Sequence, residues 1–347
     1  MLIFAQLVDN RNFRNENRLR IYALKKMKVL AVIPYSPNES SMIFTKRQLS
    51  LLENSSLIEI RQFFLKSRTS LSVIIREAIR FRKEIADFEP DIVHAHYGTM
   101  TSFFCAMTTM KPLVITFRGS DLNPAPGDSR VRNSMGHLLS QLSVLRAARI
   151  ICVSQQLKGR LWWKKEQVSL IPMGVNVTRF CPMSQENSRI ALGWGLEEKI
   201  VLFNIGSDPV GKGLDLAKAS VGIATKLIPG LRFVTLRGDV IPDKMPLYYN
   251  AANCLLMTSE YEGSPNIVKE ALACNLPVVS VDVGDVRERV GGVYPSIIVP
   301  REPKMLGEAL CQVLTSNLRS NGYYKIRELA EERIAEQVVK IYSSILH

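Results

Sequence analysis

The sequence predicts an α/β protein made of two doubly wound, Rossmann-like parallel-sheet domains facing each other across a cleft. Three observations carry this. The chain has 347 residues, more than one ordinary core accommodates, so two domains are expected. Short unbroken apolar runs, such as 27–34 and 199–206, read as strands buried on both faces, as in parallel sheets. These runs alternate with helical patterns, break off around 182–195 and then restart, giving two successive βαβα series.

Taken in order, residues 1–26 are Asn- and Arg-rich without periodicity and are expected to form a poorly ordered extension. Their opening apolar run has no charged leader and is a poor signal peptide. The amino domain is expected over 27–182. It starts with a strand at 27–34, a helix at 40–53 and a strand at 58–64. An amphipathic helix follows at 70–88, where Leu71, Ile74, Ala78, Phe81, Ile85 and Phe88 form an apolar seam. Arg76, Arg80 and Lys83 line another face of it, either as a solvated side or as a surface for anionic lipid. Strands at 90–97 and 111–117 end in polar residues, His94 and His96 on the first and Arg118-Gly119-Ser120-Asp121 after the second. In open α/β sheets ligands bind at that end. A helix at 136–149 and strands at 150–154 and 168–176 complete the half. The histidines are expected to face opposite sides of their strand.

The polar stretch 182–195 reads as the hinge, and the carboxy domain is expected over 183–330. It has strands at 199–206, 231–236, 254–257 and 277–281, a helix from 214 and a short helix at 245–252. A helix at 331–347 closes the chain and is expected to pack back on the amino domain. Six cysteines show no C-x-x-C pairing, so buried thiols and a cytoplasmic, peripheral location are expected. The charge is uneven: residues 1–182 carry 27 Lys and Arg against 13 Asp and Glu, and the remainder is nearly balanced. A basic half suggests an anionic partner such as a membrane surface. No nucleic-acid motif accompanies it, so nucleic acid is not expected.

The chemistry concentrates in Ser259–Ala271. Ser264 is a suitable N-cap and Pro265 a suitable first helical residue. Asn266 and Ile267 then place unpaired backbone N–H groups in the first turn, a site suited to phosphate. Glu262 lies at the mouth of the turn and Glu270 on the same helix face as Asn266. Carboxylates suit sugar and ribose hydroxyls, which are donors, so the stretch reads as a nucleotide-sugar cradle. A second loop, Gly206–Gly213, holds Lys212 between Gly211 and Gly213, where the backbone can approach a ligand and the ammonium can neutralise phosphate. It matches neither the Walker nor the dinucleotide glycine pattern.

This ordered set resembles the retaining GT-B glycosyltransferases of the family 4 type (glycosyl transferases group 1). Glu262 and Glu270 match their Glu-x7-Glu, and Lys212-Gly213 their phosphate-binding pair. Pro277-Val278-Val279 with Asp282-Val283-Gly284, Ile171–Asn176 with Phe180, and Pro90–His96 add further matches. The resemblance implies that Glu270 holds the ribose and Glu262 the donor sugar. Asn266, Ile267 and Lys212 would take the diphosphate, and Gly263 and Ser264 would line the sugar pocket. Gly206 and Gly211 would border the donor. Transfer to a lipid-linked or polysaccharide acceptor would then proceed with retention, without a metal or other cofactor. Three positions depart from the family pattern: loop 35–45 has no glycine, Ser207 replaces an arginine, and Arg118 replaces a histidine. Arg118 is expected to supply charge from the opposite domain, or to pair with Asp121; Asp121 and His96 are expected on the acceptor side. The alternative function is a non-catalytic nucleotide-sugar-binding module of a polysaccharide assembly complex.

Overall fold

The computed structural model describes residues 26–37, 42–53, 55–124, 129–206, 208–238 and 240–346. Residues 1–25 of the expected extension, part of loop 35–45, and Ser207 lie outside them. The first sheet contains β1 (Met27–Pro34), β2 (Ile58–Leu65), β3 (Ile92–Ala95), β4 (Leu113–Phe117), β5 (Arg149–Cys152) and β6 (Val168–Leu170), in spatial order 2-1-3-4-5-6. The second contains β7 (Ile200–Asn204), β8 (Arg232–Leu236), β9 (Cys254–Met257), β10 (Val278–Ser280) and β11 (Ile297–Ile298), in order 11-10-9-7-8. All pairings between these strands are parallel. β1, β3 and β4 are almost wholly buried, as their continuous apolar character requires.

The strand order sorts the helices. Stepping from β1 to β2 runs opposite to stepping from β2 through β5, so right-handed crossovers put helix Ile43–Glu53 on one face of the first sheet. Helices Leu71–Phe88, Thr99–Thr108 and Arg130–Arg146 cover the other. The final helix, Glu331–Leu346, joins Ile43–Glu53 and buries Ile334, Ala335, Val338 and Tyr342 against Val29, Ala31 and Leu49.

The chain passes between domains elsewhere than 182–195. Val175 N–H donates to the Leu329 carbonyl at 2.9 Å, and Glu331 N–H to the Val175 carbonyl at 3.1 Å, so the outgoing and returning crossings lie side by side. A Cβ on Gly174 would lie 2.5 Å from the Glu331 Cα, which explains a glycine there. Phe180 already belongs to the carboxy-domain core. The stretch read as a hinge instead contains helix Gln185–Leu192, capped by the Ser184 hydroxyl and ended by Gly193 at φ 65°. Its polar composition misled because Arg189 is 3% exposed and spends its donors on four backbone or amide oxygens.

One further expectation fails. His94 and His96 share a face, because two residues make one full pleat period, and their rings lie 3.8 Å apart. On the basic stripe of Leu71–Phe88, Arg76 and Lys83 are exposed, and Arg80 turns to partners within the domain. Arg80 is bonded to Glu77 and to the Phe64 carbonyl and lies 3.7 Å over the Phe63 ring.

Candidate active site

The cleft is built from loops at the carboxyl ends of adjacent strands. β7 and β9 are neighbours, so the lysine loop after β7 and the loop after β9 come together. Thr258, just past β9, fastens them: its hydroxyl lies 2.9 Å from the carbonyl oxygens of both Lys212 and Gly213 and shares its one hydrogen between them. Gly213 has φ 72°, and a Cβ there would come within 2.4 Å of the Thr258 carbonyl oxygen, so only glycine permits this approach. Gly206, at φ 54°, turns the chain out of β7, and Gly211 N–H donates to Asp208 at 2.9 Å. The result is an ion pair, Lys212 Nζ to Glu262 Oε1 at 2.5 Å, with both side chains mostly screened from solvent.

The helix after this loop begins at Asn266, with Pro265 in the cap position and no side-chain cap. Its first-turn N–H groups therefore remain available to a ligand. Ser264 is not the cap. Its hydroxyl donates to Asp285 at 2.8 Å and accepts from Lys269 Nζ at 2.8 Å, because charged partners outcompete a backbone N–H for a hydroxyl. The Asn266 side-chain oxygen is buried without a partner, as an acceptor awaiting a donor. Ile267 lines the crevice beside Lys212. Glu270 accepts from the Tyr249 hydroxyl at 2.8 Å; burial pushes its carboxyl up from the usual range, opposed by that bond.

Lys269 is the residue that sequence reasoning missed. Its side chain is wholly buried, and Nζ donates to the Met173 carbonyl at 2.7 Å as well as to Ser264. Burial lowers its ammonium to about 8, with Asp285 opposing the shift. The sequence holds one signal: Lys269 stands among Val268, Ala271, Leu272 and Ala273, the apolar residues by which this short helix faces the core.

Across the cleft, the amino domain meets this loop through backbone. A Cβ on Gly263 would fall 1.8 Å from the Arg118 carbonyl oxygen, and one on Gly119 would fall 3.3 Å from the Gly263 nitrogen. Asn123 Nδ2 donates to the Glu262 carbonyl at 3.0 Å, and Gly284 N–H to Gln156 at 3.0 Å. The Arg118 side chain points elsewhere. Its guanidinium donates to Gln48 and His96, each at 3.0 Å, and reaches the Met173 thioether. Burial lowers it to about 10. The Asp121 carboxylate takes no ion pair with it; it accepts the backbone N–H groups of Gly98, Arg118 and Gly119. His96 accepts at Nδ1 from Arg118, so its Nε2 carries the hydrogen, and that nitrogen is buried without a partner. Asp121 lines a cleft of about 1050 Å³ that runs outward along the amino domain past Tyr97, Met135 and Trp162.

Residues 38–179 match the Glycosyltransferase Family 4 model and residues 199–316 the Glycosyl transferases group 1 model. The chain is 28% identical over 245 residues to TuaC of Bacillus subtilis, whose name assigns it to teichuronic acid biosynthesis as a glycosyltransferase. That alignment spans 65% of this chain and 61% of TuaC. Among solved structures, the sucrose-phosphate synthase of Thermosynechococcus elongatus superposes with a TM-score of 0.74 at 16% identity, covering 92% of this chain and 99% of that one. Anabaena HepE, solved with UDP-glucose, gives 0.66 at 16% identity, over 92% and 100%. The fold is GT-B, and both halves of the chain are glycosyltransferase domains.

Proposed function

We propose that these two glycosyltransferase domains form an enzyme that moves a sugar from a nucleotide-sugar donor to a lipid-linked or polysaccharide acceptor. The observation that carries the reading is the Lys212–Glu262 pair at the mouth of an uncapped helix start. First-turn amides near Asn266 and Ile267, with Lys212 beside them, would receive the diphosphate and hold the leaving group's charge with fixed donors and one cation, without a metal. Glu262 would accept from donor-sugar hydroxyls, and the partly buried Glu270 from the ribose. Both are acceptors facing a ligand rich in donors. The neighbour HepE, crystallised with UDP-glucose, supports a nucleoside-diphosphate donor, and TuaC's name supports a polysaccharide product.

The acceptor enters from the amino-domain cleft that Asp121 lines; His96, expected on the acceptor side, is fully buried. It attacks on the face that the nucleotide leaves, so configuration is retained and no protein nucleophile is required. Arg118 acts on the seam by holding Met173, which Lys269 grips from the other side.

The test is nucleotide release from UDP- and GDP-sugars with a membrane lipid extract as acceptor. Lys212→Ala and Glu262→Ala should each lose about 10²-fold or more, the scale of one charge-stabilising group. Rates within a factor of two of wild type in both variants would sink the assignment. The inward-turned Arg118 guanidinium adds no charge to the donor loop and favours a second reading, a module that binds nucleotide sugar without turnover. Donor binding with no nucleotide release from any acceptor fraction would select it.

A further inference from the structure

Helix Arg130–Arg146 is inside out. It buries Ser140, Gln141, Ser143 and Val144, and its exposed face carries Val131, Met135, Leu138, Leu142 and Leu145. Those five recur at spacings of four and three, one continuous stripe, between 38% and 76% exposed. The helix is docked by hydrogen bonds rather than by leucines. Ser140 Oγ donates to the Asp121 carbonyl and accepts from Thr99 N–H, Ser143 Oγ pairs with Ser102 Oγ, and Gln141 accepts from Trp162 N–H. A leucine stripe facing outward on a helix with a polar inner side has no packing role among the described residues.

The stripe does not stand alone. On the same sheet face, Leu71–Phe88 exposes Leu71, Ile75 and Ile79, and Met107 and Met110 lie between the two helices. Trp162, 53% exposed, sits at the far side. Residues 99–166 carry ten Lys and Arg against three acids, and Arg130–Arg146 contains no acid at all. Lys164 bonds the carbonyls of Leu145 and Ala147, so its charge lies beside the end of the stripe. Arg160 lines the cleft with Trp162. No helix among the described residues is long and apolar enough to cross a membrane.

We propose that this outer helical face of the amino domain docks on an anionic lipid surface. Apolar side chains enter the acyl boundary, Trp162 sits at the headgroup level, and the arginines and lysines meet lipid phosphate. Charge complementarity selects anionic over neutral lipid. The docked face leads into the 1050 Å³ cleft, because Met135, Leu138 and Trp162 also line that cleft, so a lipid-borne acceptor would reach the seam without leaving the membrane.

The test is flotation of the full chain with phosphatidylcholine vesicles, with or without phosphatidylglycerol, in the absence of nucleotide sugar. Its outcome is therefore separate from the transfer reading. Salt-sensitive binding to the mixed vesicles, lowered about tenfold or more in Met135→Ser/Leu145→Ser, is expected. Brominated acyl chains should quench wild-type tryptophan fluorescence and lose most of that effect in Trp162→Phe, a readout that holds even if the serine variant melts early. Equal partitioning to both vesicle types, an unquenched wild type, or wild-type binding by a folded serine variant would overturn the proposal. So would a wild-type dimer that the serine variant dissolves, which would make the stripe a self-association face.

Discussion

Lys269 holds the geometry of the donor loop from below. Its ammonium joins Ser264, beside the candidate sugar pocket, to the Met173 carbonyl of the interdomain crossing, while Asp285 closes the network through Ser264 and through Arg289 at 2.8 Å. A buried ammonium is tolerated because each contact is an oxygen. Its folded pKa, about 8, lies below the 10.5 of the exposed group. The unfolded chain therefore binds more protons between those values, and this group's contribution to stability rises with pH across that window. Below about pH 8 the cost of burying the charge is fully present. The stability of wild type relative to Lys269→Met should climb from about pH 8 towards 10.5, as measured by urea unfolding at several pH values. A flat difference would mean that burial does not lower the ammonium's pKa.

Among the elements, two helices near the site are unusual, one at its terminus and one against the inward-apolar rule. Asn266–Ala273 leaves its amino terminus without a side-chain cap, and Arg130–Arg146 turns its leucines outward. The final helix obeys the rule and works across the sequence: Ile334 is 1% exposed, and the Tyr342 hydroxyl meets His94 Nδ1 at 2.6 Å, 248 residues away. Residues beyond the carboxy domain thus complete the amino-domain core. Ile334→Ala should cost about 2–5 kcal/mol by chemical unfolding, the usual range for removing a buried isoleucine. A loss below about 1 kcal/mol would mean that the helix contributes little to that core.

For the whole molecule, two parallel crossings at 174–176 and 329–331 connect the domains, while Gly119, Gly263 and Gly284 let the facing loops touch. The donor cradle lies wholly on the carboxy side of that seam, so a donor should stabilise the protein without any acceptor. At 100 times its dissociation constant, the correct nucleotide sugar should add about 2.7 kcal/mol. This would be seen as a raised melting temperature in a panel of UDP-, GDP-, ADP- and dTDP-sugars. No shift from any of the four would count against the cradle.

The strands were legible in the sequence because a buried parallel strand is apolar throughout, and that pattern is local. The lysine loop and the Glu262–Glu270 stretch were legible for the same reason: glycines, a proline and acids at fixed spacing act within one turn. What the sequence could not settle was every choice between partners. Ser264 has a cap and an ammonium within reach, Arg118 has Asp121 beside it but turns to Gln48 and His96, and the serines of 140–143 look solvent-facing until Thr99, Ser102 and the Asp121 carbonyl close over them. Most of those outcomes depend on atoms between 19 and 70 residues away along the chain, whose proximity is created by the tertiary fold. Short-range stereochemistry determined the elements, and only the tertiary structure decided which polar groups each side chain would satisfy.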